Sequence, residues 1–233
     1  MVKRTAKAKR AARARRVSVP FLLAARLLDV RATHRAMLER FAKRGAIAIM
    51  FTDIVDFTKA TETGGDKAAT RLLDAHDAVV ETHVRRNKGR IVKSLGDGSM
   101  AAFNDPAAAV RAAIGILESV RDLPPVRGWR LRIRIGMDLG KPSRRGDDYI
   151  GHTVNLAARL TPRARPGEAL VTDAVKIAVR KPDGEARWEE RGQVSLKGLA
   201  NPPKTWRLKL GRAQRAQVKP KASASRKKPA RSR

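Results

Sequence analysis

Apolar and polar positions along this chain change rhythm several times, and each change marks an element. Between residues 17 and 44, Leu23, Leu27, Val30, Met37 and Phe41 follow alternating steps of four and three, with His34 filling the gap. That is a heptad seam of about three repeats. It predicts either a short parallel coiled coil joining two copies of the downstream domain, or an amphipathic helix packed on its own domain. From Ala46 the pattern changes: Ala46-Ile47-Ala48-Ile49-Met50-Phe51 reads as a buried strand ending at Thr52-Asp53. Lys67 to Val84 then reads as a helix with Leu72, Leu73, Val79 and Val80 on its apolar face.

Arg90 to Leu95 and Ser99 to Phe103 flank Gly96-Asp97-Gly98, the composition of a hairpin turn, so Asp97 is expected at a tip. Asp105-Pro106 opens a helix running to about Val120, and Pro124-Pro125 ends that region. Trp129, Leu131, Ile133 and Ile135 alternate with Arg130, Arg132 and Arg134, the period of a half-buried strand. Another helix follows Gly151 and carries Val154 to Leu160, then Pro166-Gly167 turns into a strand from Glu168 to Val171. Further helix and strand elements end near Leu210. The order strand, helix, strand, strand, helix, strand is the split arrangement of a ferredoxin-like core. The expected class is therefore α+β: a βαββαβ core with an additional C-terminal helix and strands.

Length and composition fit one domain with extensions. The 233 residues, 42% of them hydrophobic, supply one core over residues 45–210. The absence of cysteine excludes disulfides, thiolate metal sites and cysteine nucleophiles. No apolar run reaches the roughly 20 residues of a membrane span, and the best candidate, Val17 to Val30, is broken by Arg26 and Asp29. The basic start followed by Phe21 to Ala25 is too short in its apolar part for a signal peptide. A cytoplasmic location is the expectation.

Charge changes the picture at the ends. The formal net charge is +30; residues 1–16 carry eight Lys or Arg and residues 212–233 carry nine, with no acid in either stretch. Residues 1–16 and 211–233 are expected to be disordered basic tails, too poor in apolar residues to offset the entropy of ordering. Such tails suit an anionic partner, nucleic acid or an acidic lipid surface, and equally suit plain solvation. An aromatic content of 4% with a single Tyr leaves few stacking platforms, which argues against nucleic acid binding as the main role.

Candidate chemistry begins with two aspartates, Asp53 at a strand end and Asp97 at a hairpin tip. Singly, each suits a turn or a helix cap. If the two elements are neighbours in one sheet, the carboxylates converge, and converging hard oxygens suit Mg²⁺ or Mn²⁺. Asn155 and Arg159, four residues apart, share one face of their predicted helix.

Three motifs stand in order: FTDIVDFT around Asp53, KSLGDG around Asp97, and DYIGHTVNLAAR from Asp148 to Arg159. On these motifs Ala46 to Leu210 resembles the catalytic domain of class III adenylyl cyclases. The resemblance implies conversion of ATP to 3′,5′-cyclic AMP and pyrophosphate, which makes a second messenger. It implies that Asp53 and Asp97, with the backbone carbonyl of Ile54, hold two Mg²⁺ or Mn²⁺ ions per active site. Lys93 and Asp148 match the pair that reads adenine: a cationic donor suits N1 and a carboxylate acceptor suits the N6 amino group. Guanylyl cyclases of the family usually place Glu and a small polar or Cys residue there. Asn155 would orient the ribose, and Arg159 would stabilise charge on the α-phosphate with its fork of donors. The resemblance further implies a homodimer, each site taking its metal aspartates from one chain and the other four residues from its partner. A binding protein that holds nucleotide without turnover is the alternative, yet all six side chains carry the types the chemistry needs.

Some residues depart from the family pattern or imitate other sites. Asp56 stands where many relatives have glycine, a third acid beside the metal pair, and the short segment Lys141 to Asp147 carries Arg144 and Arg145. Gly64-Gly65-Asp66 is similar to a diguanylate cyclase signature, but Lys67 and Ala68 stand in place of Glu and Phe, so it reads as a helix start. His76 and His83 lack the spacing and the acid partner of a zinc site and read as structural or exposed.

Overall fold

Strand β1 (Ile47–Ile54) is buried along almost its whole length because both faces of its sheet are covered. The computed structural model describes residues 45–211 except 127, 197, 198, 200 and 201. The predicted heptad segment 17–44 and the basic tails up to residue 16 and from residue 212 lie outside the described residues. After β1 come α1 (Phe57–Gly64), α2 (Asp66–Arg86), β2 (Arg90–Ser94), β3 (Gly98–Phe103) and α3 (Pro106–Asp122). Strands β4 (Ile133–Gly140), β5 (Ser143–Arg145) and β6 (Asp148–Ile150) lead into α4 (His152–Leu160) and a 3₁₀ turn (Thr161–Arg163). β7 (Ala169–Thr172), α5 (Asp173–Ala178), β8 (Arg187–Gln193) and β9 (Lys204–Lys209) close the domain.

The main sheet runs β2-β3-β1-β4-β7-β9-β8, and β5-β6 form a separate two-stranded arm. Its first four strands pair antiparallel in the order of a ferredoxin-like core, and β7 extends them parallel to β4. The expected α+β class, with helix and strands added at the C-terminal side, is what the chain adopts. Ala48, Met50, Ala101, Phe103, Ile133, Ile135 and Met137 bury the larger core against α2 and α3. Ile47, Ile49, Phe51, Met100 and Ala102 bury the opposite face against Tyr149, Val154 and Ala157. Side chains alternate across a strand, so Asp53, two residues after Phe51, emerges on the α4 side.

Helix ends follow their local chemistry. The Asp105 carboxylate accepts the Ala107 amide at 2.9 Å with Pro106 in the first turn, while α2 carries Asp66 at its start and His83, Arg85 and Arg86 in its last turn. Helix α1 falls outside the elements the sequence predicts: Phe57-Thr58-Lys59-Ala60-Thr61-Glu62-Thr63-Gly64 is only 8 residues long and buries only Ala60. The strand expected over Trp129 to Ile135 instead starts at Ile133 and runs to Gly140. Leu131, Ile133 and Ile135 are buried and Arg130 and Arg132 exposed, as the alternation requires. Residues 129–132 have little to pair with, because β1 ends at Ile54 and only Val55 N–H reaches back to the Arg132 carbonyl at 2.8 Å. Trp129 bonds Val126 instead.

Candidate active site

Asp53 and Asp97 meet at one edge of the sheet. Asp53 pairs in register with Gly98, and Ile54 N–H donates to the Asp97 carbonyl at 2.9 Å. The turn closes through Leu95 N–H to the Gly98 carbonyl at 2.8 Å, with Gly96 in the left-handed region at φ 79°. A Cβ at Gly98 would stand 2.2 Å from the Thr52 carbonyl oxygen, so only glycine lets the hairpin approach β1 this closely. Asp53 faces Arg134 across β4, with Nε 2.5 Å from its carboxylate. The sequence placed Arg134 on the polar phase of its strand, but which acid it meets depends on a register that alternation does not reveal.

Asp56 does not join the pair. Its backbone is left-handed, at φ 60° and ψ 27°, which explains why a glycine also suits this place, and its carboxylate is ion-paired with Arg132. Among the described residues no cluster of three or more His, Asp or Glu is placed to cage a metal. Two carboxylates beside a strand-end carbonyl fit an ion that takes few protein oxygens and completes its shell with water and phosphate.

Lys93 on β2 and Asp148 on β6 come together although 55 residues separate them: Nζ lies 2.5 Å from Oδ2. The second carboxylate oxygen accepts Tyr149 N–H at 2.8 Å, and Tyr149 itself is fully buried. Lys93 pairs with Met100 of the smaller core, which puts it on the α4 side with Asp53. The pair's side chains are 38% and 36% exposed, where an ion pair stabilises by about 0–1 kcal/mol. Fold stability therefore asks little of this contact, and a donor beside an acceptor is left available for a ligand.

Helix α4 sits close to β4 because of glycine. A Cβ at Gly136 would lie 2.4 Å from the Ala157 carbonyl and 2.5 Å from the Thr161 amide. With Thr153, Val154, Leu156, Ala157 and Leu160 buried, Asn155 and Arg159 point out from the same face of α4. Large apolar side chains flank the site: Leu95 in the hairpin turn is 46% exposed and Ile150 after Asp148 is 43% exposed.

Asp138 on β4 drew no notice in the sequence. Its side chain is buried, accepting the Thr172 hydroxyl at 2.6 Å. Burial pushes its carboxyl above the usual range, opposed by the Thr172 hydroxyl, the Leu139 amide and the charge of His152. His76 reads in the sequence as structural or exposed, and it is structural: the ring is buried, with Nδ1 2.8 Å from the Asp77 carboxylate and Nε2 3.0 Å from the Thr52 hydroxyl.

Residues 40–210 match the family described as the adenylate and guanylate cyclase catalytic domain. An uncharacterized protein of Mycobacterium tuberculosis is 34% identical over 160 residues, 69% of this chain and 40% of that protein. An adenylate cyclase of Streptomyces coelicolor is 32% identical over 127 residues, 54% of this chain and 32% of its own length. The chain thus spans well under two thirds of the length of these relatives. Among solved structures, an adenylate/guanylate cyclase/hydrolase from Silicibacter pomeroyi superposes with a TM-score of 0.60 at 27% identity, covering 70% of this chain and 95% of that one.

Proposed function

The chain belongs to the adenylate and guanylate cyclase catalytic domain family, and on that premise we propose that it converts ATP to 3′,5′-cyclic AMP and pyrophosphate as a homodimer. The observation that carries the choice of adenine is the Lys93–Asp148 pair, 2.5 Å apart on one chain. Lys93 donates to purine N1 and Asp148 accepts from the N6 amino group; guanine, with a donor at N1 and a carbonyl at C6, opposes both.

In the reaction the ribose 3′-oxygen forms a bond to the α-phosphorus, its proton leaves, and the bond from the α-phosphorus to the bridging oxygen of pyrophosphate breaks. Asp53, Asp97 and the Ile54 carbonyl are the groups that would hold two Mg²⁺ or Mn²⁺ ions. Such ions, when bound, make the 3′-hydroxyl more acidic and offset charge on the departing pyrophosphate. Asn155 orients the ribose, so that the 3′-oxygen faces the α-phosphorus. Arg159, one helical turn on, donates to the α-phosphate oxygens as charge gathers on them. Leu95 and Ile150, exposed beside Asp97 and Asp148, are the apolar groups a second copy would cover. Among the described residues no helix is long and apolar enough to cross a membrane.

The test is incubation of the purified full chain with ATP or GTP and Mn²⁺ or Mg²⁺, beside the Asp97→Ala variant. Cyclic AMP from the wild type alone supports the reading. Cyclic GMP as the main product overturns the assignment of adenine, and no product from a confirmed dimer overturns the cyclase reading.

A further inference from the structure

Behind the two aspartates, on the α2 side of the sheet, runs a chain of polar groups that the reaction does not use. The Asp77 carboxylate and His76 Nδ1 are 2.8 Å apart, His76 Nε2 and the Thr52 hydroxyl 3.0 Å, and the Thr52 oxygen accepts Ser99 N–H at 3.1 Å. Since a carboxylate only accepts, the ring proton belongs on Nδ1, and Nε2 is then open to the Thr52 hydroxyl proton. His76 is fully buried, and Thr52 and Ser99 are each 3% exposed. The order Asp, His, Thr resembles a nucleophile with its base, but no substrate reaches a hydroxyl so enclosed and already bonded on both sides.

What the chain does reach is the backbone that carries the metal carboxylates. Thr52 immediately precedes Asp53, and Ser99 comes two residues after Asp97. Thr52 and Ser99 oppose each other in the register between β1 and β3, one step from Asp53 and Gly98. Here β3 crowds β1 against the Thr52 carbonyl, and the Ser99 amide is satisfied by the Thr52 side chain. Helix α2 holds that side chain through His76.

We propose that His76 is a positioning residue for the metal carboxylates: by holding Thr52, and through it the start of β3, it fixes the spacing between Asp53 and Asp97. The proposal rests on the reading that these two aspartates bind divalent ions. Groups behind metal ligands commonly change metal affinity about 10- to 100-fold when removed, and one link further back an effect near the lower end is expected.

The experiment titrates Mn²⁺ into the full chain by electron paramagnetic resonance, in the presence of 3′-deoxy-ATP, which has no hydroxyl to cyclise. His76→Leu, His76→Gln and Thr52→Val are compared with the wild type and Asp97→Ala, well below each protein's melting temperature. Binding about tenfold weaker in His76→Leu, and near normal in His76→Gln, whose amide can still meet Thr52, is the expected result. Should His76→Leu fail to fold, Thr52→Val carries the same expectation. Mn²⁺ affinity unchanged in the folded variants, with Asp97→Ala still abolishing binding, overturns the positioning role alone. A wild type that binds no Mn²⁺ overturns the metal reading and this inference together.

Discussion

Asp53 and Arg134 oppose each other on β1 and β4, and the guanidinium Nε stands 2.5 Å from the carboxylate. The cation occupies the acid that a divalent ion would need, so the two compete. Arg134→Ala is expected to tighten Mn²⁺ binding to the nucleotide-free chain by about 2- to 5-fold, the upper part of the range of a partly exposed ion pair. Calorimetric titration checks it; binding that weakens would show that Arg134 assists the site rather than competing for it.

Asp148 is held from two sides, by Lys93 and by Tyr149 N–H. Asp148→Ala should lower kcat/KM for ATP by about 10- to 100-fold, since a hydrogen bond to a charged group is worth about 1.5–3 kcal/mol. The loss for GTP should be smaller. Paired kinetics on both nucleotides measure the ratio, and equal losses would remove Asp148 from adenine reading.

Asp138 gives a pH dependence of stability. Because its folded carboxyl is raised, the folded chain keeps a proton that the unfolded chain has lost, so its contribution is fully present below the ordinary carboxylate range and is lost as pH rises through the folded value. Asp138→Asn, still able to accept from Thr172, should stabilise the protein at neutral pH, and the gain should vanish in acid. Urea denaturation of both proteins across that range tests it, and a gain independent of pH would contradict it.

Gly136 seats α4. Gly136→Ala would force a methyl to within 2.4 Å of the Ala157 carbonyl, and overpacking of this kind costs about 1–3 kcal/mol. A lower melting temperature is expected, together with loss of cyclase activity as Asn155 and Arg159 move outward. Full activity in this variant would mean that α4 adjusts without displacing them.

Whether a residue's part was readable in the sequence depends on how local its determinants are. The motif residues were legible because their spacing is local: Asn155 and Arg159 share a helix face by arithmetic, and Gly96-Asp97-Gly98 announces a hairpin by composition. The βαββαβ order was legible because six elements carry clear periods. Arg134 was not, since its partner is set by the register of β4 on β1, and neither was the Asp77–His76–Thr52 chain, whose members come together only when α2 lies on the sheet. Helix α1, rich in Thr and burying one residue, is at 8 residues too short for a helical period to announce it. Asp56 looked like an extra acid; its meaning lay in a backbone angle and a partner, Arg132, 76 residues away.

The bond from Ile54 N–H to the Asp97 carbonyl has an architectural consequence. Asp53 and Asp97 are stitched together at the sheet edge, while the segment between them, α1, α2 and β2, makes its turn at Asn87 to Gly89, at the other end of the hairpin strands. Their separation is a property of the sheet and not of the chain length that divides them. Extra residues at that distant turn would lengthen the polypeptide without lengthening the gap between the carboxylates, which makes it the natural place to graft a tag or a reporter.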